Sequence, residues 1–270
     1  MRKVQPSLKF VGMALALPSL NPHFIEYFLN HENHEPGVPL DFISYHFYAG
    51  GTPDETPEIQ GYTFFEQADG FLNTVRYVET LRKRLSPETG TQIDEIGGYW
   101  NSPTKPIPDS HWYLTGALYG YMFGELTRMG IEGAGASVLS GFPAEDPSKF
   151  YCPDISMLDW NTGNPNPRFR VLQLIHNNFG PGDKVIALEE THFSLEPYIY
   201  VMPVITRDSK RRVLLVNKSQ RAKQVDLAGA KGGNIEWVDQ NTAANPPARG
   251  KNDSDTITLS PYAVAAVTLP

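Results

Sequence analysis

The residues whose types point most directly to chemistry form a short run around a carboxylate, Thr91-Gln92-Ile93-Asp94-Glu95-Ile96. Alternation of apolar and polar residues predicts a strand with Thr91, Ile93 and Glu95 on one face. The pair Gly97-Gly98 follows at once, so Glu95 is expected at the carboxyl end of that strand. Enzymes built on α/β barrels carry their catalytic residues at this end. An ordinary acidic loop start is the alternative interpretation.

A second strand-like run extends from Leu40 to Gly51 and becomes more polar toward its carboxyl end along one side. Alternation places on that side Phe42, Ser44, His46 and Tyr48, and on the other side Ile43, Tyr45 and Phe47. The apolar side would pack on outer helices, so His46 and Tyr48 are predicted to reach the rim of a barrel. For His46, the alternative is a core histidine whose ring nitrogens are satisfied by structural hydrogen bonds.

These two runs belong to a repeating strand and helix pattern in the first two thirds of the chain. Strands are predicted to begin near Leu8, Leu40, Thr91 and Ala134, and the helices to cover about 18–30, 65–85, 109–129 and 168–177. The strand near Ala134 is expected to continue to Leu139. This gives four βα units, whereas a complete barrel has eight.

The character of the sequence changes near Lys184. Short strand-like runs separated by turn residues are predicted at 185–188, 198–205, 212–216, 224–227, 235–238, 256–259 and 263–269. We therefore predict an α/β fold in which half of a (β/α)8 barrel, residues 1–182, precedes a small antiparallel β-sandwich domain, residues 183–270.

Composition narrows the class of protein further. The 270 residues include 23 basic and 30 acidic side chains, a formal charge of −7, with no basic block that would follow a nucleic acid backbone. No apolar run reaches the roughly 18 residues of a membrane helix. Nothing indicates a nucleotide or metal cofactor, and the single Cys152 offers no cysteine cluster. Met1-Arg2-Lys3 before an apolar stretch imitates a secretory signal, but a buried strand from Leu8 to Ala16 is the preferred interpretation, and the compartment stays open.

The order of these motifs resembles strands five to eight of the clan A retaining glycoside hydrolases. The resemblance rests on Leu8 to Gly12, Asp41 to Tyr48, Ile93 to Ile96, and Leu158-Asp159-Trp160-Asn161-Thr162-Gly163 with Pro165 before a helix. It is nearest to family 39 β-xylosidases and then to family 79 glucuronidases. The tail, with Val213 to Lys218 and Leu259 to Val264, is similar to the β-sandwich that closes such enzymes.

The resemblance implies a retaining glycosidase that acts on β-linked, xyloside-like or glucuronide-like sugars. Glu95 would be the nucleophile that forms a glycosyl-enzyme intermediate. Tyr48 would donate a hydrogen bond to it, and His46 would line the sugar site. Trp100 and Trp160 are candidates for stacking on a pyranose face, with a buried structural tryptophan as the alternative.

A retaining glycosidase also needs a second carboxyl group about 5–5.5 Å from the nucleophile. The clan carries it after the fourth strand, and this chain resembles the clan from the fifth, so the acid/base is not found. Three hypotheses follow. The chain is an inactive fragment of a longer glycosidase; or two half barrels pair as a homodimer that completes the barrel; or the protein binds carbohydrate, or serves as a scaffold, without catalysis.

Overall fold

The computed structural model describes residues 1–38, 40–52, 55–100, 107–141, 155–159, 162–188 and 197–270. A four-stranded sheet consists of β1 (Val11–Leu15), β2 (Phe42–Gly51), β3 (Gly90–Trp100) and β4 (Gly133–Ala136). Its helices are α1 (Pro22–Leu29), α2 (Pro57–Leu85), α3 (Asp109–Arg128) and α4 (Pro167–Asn178). The remaining strands are β5 (Lys184–Val185), β6 (Ile199–Ile205), β7 (Arg211–Asn217), β8 (Lys223–Asp226), β9 (Asn234–Val238), β10 (Ala248–Lys251), β11 (Thr256–Leu259) and β12 (Val264–Thr268).

The first sheet is parallel throughout and follows the order β1-β2-β3-β4. One face is apolar because Ile43, Tyr45 and Phe47 of β2 are buried beneath α2. Phe47 stacks on Phe71 of that helix, with ring centroids 4.7 Å apart. The other face, which would form the inside of a barrel, carries the polar residues of β2. Four successive βα units in an open parallel sheet confirm the predicted partial barrel.

Helix α2 is longer than the sequence pattern predicts, since it begins at Pro57 rather than near residue 65. The Thr56 hydroxyl accepts a hydrogen bond from the Ile59 amide at 3.3 Å, which caps the first turn. A proline at the first helical position adds to this start signal because the amide it lacks has no partner inside the helix. This cap explains why α2 begins at Pro57, close to the end of β2, rather than near residue 65.

Strands β3 and β4 also differ from their predicted ends. β3 runs on through Gly97 and Gly98 to Trp100, which pairs in register with Gly51 of β2. β4 stops at Ala136 instead of Leu139, since Val138 adopts a φ of 53°, outside strand geometry. The two glycines therefore lie within an ordered strand and do not begin a loop.

The second part of the chain is a sandwich of a six-stranded sheet, ordered β10-β9-β12-β7-β6-β5, and a two-stranded sheet, β11-β8. β7 is buried on both faces, with Val213 and Leu215 turned toward the small sheet and Leu214 and Val216 toward the helices. The antiparallel sandwich is confirmed. β10 has no counterpart in the prediction because its sequence, Ala-Arg-Gly-Lys, lacks the apolar alternation of a half-buried strand.

Helix α3 of the partial barrel packs against the β-sandwich through a face that is formed by glycines. Gly116, Gly120 and Gly124 lie four residues apart on this face. A Cβ at Gly120 would lie 3.1 Å from Val264 of β12, and one at Gly124 would lie 2.6 Å from Tyr200 of β6. Because one apolar core runs across α3 into the six-stranded sheet, the division of the chain after residue 182 stays a prediction. Among the described helices, none is long and apolar enough to cross a bilayer.

Candidate active site

A β-bulge in β3 determines where Glu95 points. Tyr45 of β2 pairs with Ile93, but the next residue, His46, pairs with Glu95, so Asp94 is an extra residue in the ladder. Ile93 and Ile96 consequently both enter the apolar core. Glu95 lies on the inner face beside His46. The prediction that Glu95 shares a face with Ile93 is therefore wrong, because strict alternation does not hold across a bulge.

The Glu95 carboxylate is held by a tyrosine from the neighbouring strand. The Tyr48 hydroxyl donates to Glu95 Oε2 at 2.5 Å. It also forms a short hydrogen bond with Ser137 Oγ, from the residue that follows β4. Burial and the hydrogen bond to Glu95 both raise the pKa of Tyr48, which keeps this hydroxyl protonated as a donor. Ser137, Tyr48 and Glu95 thus form a chain of hydrogen bonds that ends on the carboxylate.

Tyr48 of β2 pairs with Gly97 of β3. The Tyr48 ring fits in its position because glycine has no side chain. A Cβ built at Gly97 would lie 2.6 Å from Tyr48 Cε1 and 2.8 Å from Cδ1. The tyrosine ring therefore crosses β3 at a point where only glycine fits.

We expect Gly97→Ala to destabilise the protein by about 1–3 kcal/mol, because the Tyr48 ring has to move out of a packed position. Gly70→Ala is the matched control, since Gly70 lies inside α2 with nothing within 4 Å of an added Cβ. That control should stabilise the protein by about 0.5–1 kcal/mol through helix propensity. Urea unfolding of both variants measures the difference, and equal effects at the two positions would contradict the steric account.

His46 lies between two carboxylates. Its Nδ1 is 3.5 Å from Glu95 Oε2, and its Nε2 is 3.4 Å from Asp94 Oδ1. These distances suit ion pairs when the ring is protonated. The His46 side chain is 14% exposed, whereas those of Asp94 and Glu95 are 32% and 42% exposed. A solute can therefore reach both carboxylates on the inner face, while the histidine is largely covered.

The structure describes one of the two predicted stacking residues, Trp100. Trp100 is the last residue of β3 and is half-buried. Its ring meets that of His111 edge-on, with centroids 6.2 Å apart. Trp160 lies outside the described residues. Stacking of either tryptophan on a sugar stays a prediction.

A buried arginine forms a hydrogen bond to the backbone near the carboxyl end of β3. Arg168, in the first turn of α4, is fully buried. Its guanidinium donates to the carbonyl oxygens of Gly98 at 3.4 Å and of Ser156 at a shorter distance. The same group lies 4.9 Å from the ring centroid of Trp112. The arrangement fixes the backbone three residues beyond Glu95.

Sequence reasoning misses two residues of this site, and only one of them has a signal in the sequence. Ser137 is the first polar residue after the small-residue run of β4, so it marks the carboxyl end of that strand. Asp94 was assigned to the opposite face because no feature of the sequence indicates the bulge. Within the described part of the chain, no group of three His, Cys, Asp or Glu side chains is placed to hold a metal ion.

Several solved structures that resemble this fold are glycoside hydrolases. A GH51 arabinofuranosidase from Xanthomonas axonopodis pv. citri matches with a TM-score of 0.63 at 10% identity, over 92% of this chain and 56% of its own. A GH51 α-L-arabinofuranosidase from Thermotoga petrophila RKU-1 gives 0.61 at 16%, over 100% and 59%. A family 44 endoglucanase from Clostridium acetobutylium ATCC 824 gives 0.63 at 14%, over 99% and 58%. The chain thus spans between 56% and 59% of the length of these three proteins.

At such low identity the likeness concerns the fold alone. The chain has a glycoside hydrolase-like fold, with a partial barrel followed by a β-sandwich. The neighbours named here belong to families 51 and 44, so the narrower resemblance to family 39 or 79 stays a prediction. A model of the D-apionate lactonase C-terminal immunoglobulin-like domain matches residues 203–267, within the sandwich. No curated protein sequence matches the chain.

Proposed function

We propose that the protein is a retaining glycosidase in which Glu95 is the nucleophile. The observation that carries the proposal is the placement of Glu95 on the inner face, where it accepts the Tyr48 hydroxyl at 2.5 Å. Glu95 lies midway along β3 rather than at its carboxyl end, because the strand continues through the two glycines to Trp100. This hydrogen bond orients the Glu95 carboxylate, and a carboxylate oxygen is the group that attacks in a retaining glycosidase. The 42% exposure of the Glu95 side chain gives a substrate access to it.

The chemistry proceeds in two displacements at the anomeric carbon. A Glu95 oxygen forms a bond to that carbon while the bond to the leaving oxygen breaks, and the electron pair departs with the leaving group. Water then attacks the same carbon, loses a proton to a base, and releases the Glu95 carboxylate. Tyr48 orients the attacking oxygen in the first step and hydrogen-bonds the departing carboxylate in the second.

The first displacement is assisted by a carboxylic acid that protonates the leaving oxygen, which contributes about 10²- to 10⁴-fold in rate. Asp94 is connected to Glu95 through His46. We assign it the task of orienting His46, and we propose that the acid comes from polypeptide that completes the barrel. Exposed apolar residues support such a completion at both sheet edges: Phe10, Val11, Leu17 and Leu20 beside β1, and Val138 and Leu139 beyond β4.

A second copy of the chain, packed about a twofold axis, is the proposed source of that acid. Two open half barrels would then cover each other's unpaired strand edges. The two copies of Glu95 would face one cavity and divide the roles of nucleophile and acid. Molar mass by light scattering tests the pairing, and a monomer at micromolar concentration would contradict it.

β-Xylosides and β-glucuronides are the proposed substrates, following the resemblance to families 39 and 79. The arabinofuranosidase neighbours make an α-L-arabinofuranoside a necessary third sugar for comparison. For each sugar, the activity test compares a dinitrophenyl glycoside, whose leaving group departs unprotonated, with the methyl glycoside, whose leaving group needs the acid.

We expect a burst of dinitrophenolate of about one per cavity from the matching sugar, because the nucleophile alone suffices for this leaving group. This corresponds to one per chain in a monomer and one per two chains in the proposed dimer. Turnover of the methyl glycoside should accompany the dimer and be slower by about 10²- to 10⁴-fold or more in a monomer that lacks the acid. The absence of a burst with all three sugars, in every assembly state, would overturn the proposal. In that case, non-catalytic carbohydrate binding would be the remaining hypothesis.

Lactone hydrolysis is a second candidate, favoured by the match of the sandwich to a domain of D-apionate lactonase. His46, paired with Asp94 at 3.4 Å, has the arrangement of a general base that could activate water against a lactone carbonyl. The same panel therefore includes a sugar lactone, with spontaneous hydrolysis as the blank. Enzymatic opening that survives Glu95→Gln and is lost in His46→Gln would favour this candidate over the glycosidase.

A further inference from the structure

A cavity opens inside the sandwich, because the two-stranded sheet is too narrow to cover all six strands of the larger one. Its volume is about 440 Å³, within the range of about 300–1,000 Å³ that is typical of ligand sites. Its described lining includes Ile235 and Trp237 of β9, Ile257 and Leu259 of β11, and Asn241 and Asn252 in the turns that follow β9 and β10. The cavity therefore combines an apolar interior with side-chain amides.

Trp237 lies on the floor of this cavity, where its neighbours in the sheet are small. It pairs with Ala265 of β12 and with Ala248 of β10, and the side chains of paired residues lie on the same face of a sheet. A Cβ at Gly250 would lie 3.4 Å from Cζ3 and 3.6 Å from Cη2 of the Trp237 ring. The sheet thus supports one side of the ring at Gly250, and the half-buried indole keeps surface that lines the cavity.

The cavity lies on the side of the six-stranded sheet that faces away from the helices. Ile235 and Trp237 pack against the core between the two sheets. Glu236 lies between them in β9 and points the other way, since its carboxylate accepts a hydrogen bond from Asn178, at the end of α4, at 3.3 Å. A ligand in the cavity is therefore separated from Glu95 by the six-stranded sheet and its layer of helices.

Hydrogen bonds hold the two turns that carry the amides. After β9, the Asp239 carboxylate accepts from the backbone N–H groups of Asn241 at 2.9 Å and Thr242 at 3.1 Å. After β10, the backbone N–H of Asn252 donates to the Gly233 carbonyl at 2.9 Å. The backbone around the cavity is thus fixed before any ligand arrives, which lowers the entropic cost of binding.

The two amides have hydrogen-bonding capacity that the protein leaves unused. Asn252 Nδ2 is covered and forms no hydrogen bond within the described part of the chain. A donor taken from water without a partner is unfavourable, so a ligand oxygen that reaches this amide would stabilise the complex. The Asn241 side chain is exposed, and its Nδ2 donates to Asp239 Oδ2 at 3.4 Å. Amides that both donate and accept match the hydroxyl groups of a sugar.

The edge of β11 beside the cavity is a poor site for a peptide strand. β11 pairs with β8, and the Leu227 N–H donates to the Asp255 carbonyl at 2.8 Å, so the alternation of an antiparallel ladder turns the backbone groups of Thr256 and Thr258 away from β8. The Thr256 N–H already donates to Ser254 Oγ at 3.0 Å. Because this edge offers a peptide so few bonds, the indole and the amides determine which ligand the cavity suits.

We infer that this cavity is a second carbohydrate site, which binds one uncharged pyranose unit of a polysaccharide. The C–H face of the sugar ring would stack on Trp237, whose ring offers a large flat apolar surface. The hydroxyl groups at the edge of the sugar would bond the side-chain amides of Asn241 and Asn252. The site would hold a polysaccharide on the protein at a distance from the inner face of the barrel sheet. The inference does not require Glu95 to be a catalyst.

Titration of the ¹⁵N-labelled full chain, in a Glu95→Gln background, tests the inference without hydrolysis of the probe. Xylotetraose and cellotetraose are the probes, and xylitol is the match that carries hydroxyl groups but no pyranose ring. We expect a saturable shift of the Trp237 indole N–H and of the backbone amides of Asn241 and Asn252 with at least one oligosaccharide. Xylitol should bind at least about tenfold more weakly, since it has no ring face to stack.

Trp237→Ala should weaken oligosaccharide binding about tenfold, through the loss of the stacking surface. Asn252→Ala leaves the ring in place and should weaken binding about two- to tenfold, which keeps the test valid if the tryptophan variant does not fold. Tyr77→Ala removes an aromatic side chain, 44% exposed on α2, and is the matched control that should leave binding unchanged. Equal binding of xylitol, no saturable shift at Trp237 with either oligosaccharide, or binding that both cavity variants leave intact would each overturn the site.

Discussion

Glu95→Gln is expected to reduce the burst rate with the dinitrophenyl glycoside by about 10⁴-fold or more, because an amide does not displace the leaving group and the covalent step is lost. The fold should be unaffected, since the Glu95 side chain is 42% exposed and Gln retains an oxygen that accepts from Tyr48. Stopped-flow release of dinitrophenolate measures the burst, and the circular dichroism melting curve checks the fold.

Glu66→Gln is the matched control for that measurement. Glu66 lies on the exposed surface of α2, so the substitution removes one carboxylate of the same chemistry away from the inner face. Its burst should equal that of the unchanged protein. A burst that survives in Glu95→Gln would assign the nucleophile elsewhere, and a burst lost in both variants would indicate a general effect of charge.

Arg168→Ala is expected to lower the free energy of unfolding by about 3 kcal/mol or more. The truncation leaves a cavity in place of a fully buried side chain and removes the donors to the carbonyls of Gly98 and Ser156. Because Gly98 follows Glu95 in the same strand, the burst rate should also fall in the fraction that remains folded. Urea unfolding gives the first quantity, and the burst below the unfolding transition gives the second.

Arg170→Ala provides the comparison from the same helix. Arg170 donates to the Ala244 carbonyl at 2.7 Å and to Gln173 at 2.9 Å, in surroundings open to solvent. Its loss should cost about 1–2 kcal/mol, in line with two hydrogen bonds that lie at the protein surface, and less than the loss of the fully buried Arg168. If Arg168→Ala is no more destabilising than this control, the buried cation does not support β3 as described.

The sequence predicts the order and type of the main elements because their periodicity is strong. Alternation in β2 separates Ile43, Tyr45 and Phe47 from His46 correctly, and the turn-rich tail indicates the antiparallel sandwich. β10 is missed because edge strands need no apolar alternation. The start of α2 is missed because a Thr-Pro cap is a local signal that the apolar pattern does not register.

The geometry around Glu95 is harder to predict, since it depends on contacts between strands. The bulge at Asp94 is visible only in the register with Tyr45 and His46 of β2. Gly97 lies within the strand because the Tyr48 ring occupies the space of a Cβ, a tertiary contact that no local rule reports. The sequence therefore indicates which carboxylate to examine, and the structure determines which side chains surround it.

As the proposed nucleophile, Glu95 forms a bond between one of its carboxylate oxygens and the anomeric carbon of the sugar. Intact mass and peptide mapping after incubation with a 2-deoxy-2-fluoro glycoside bearing a dinitrophenyl leaving group test it most directly, because the fluorine slows release of the intermediate. We predict a mass increase of one glycosyl group on each labelled chain, with one labelled chain per dimer. The group should be located on the peptide that contains Glu95 and be absent from Glu95→Gln. Catalytic turnover without any adduct, or an adduct on another residue, would contradict the account.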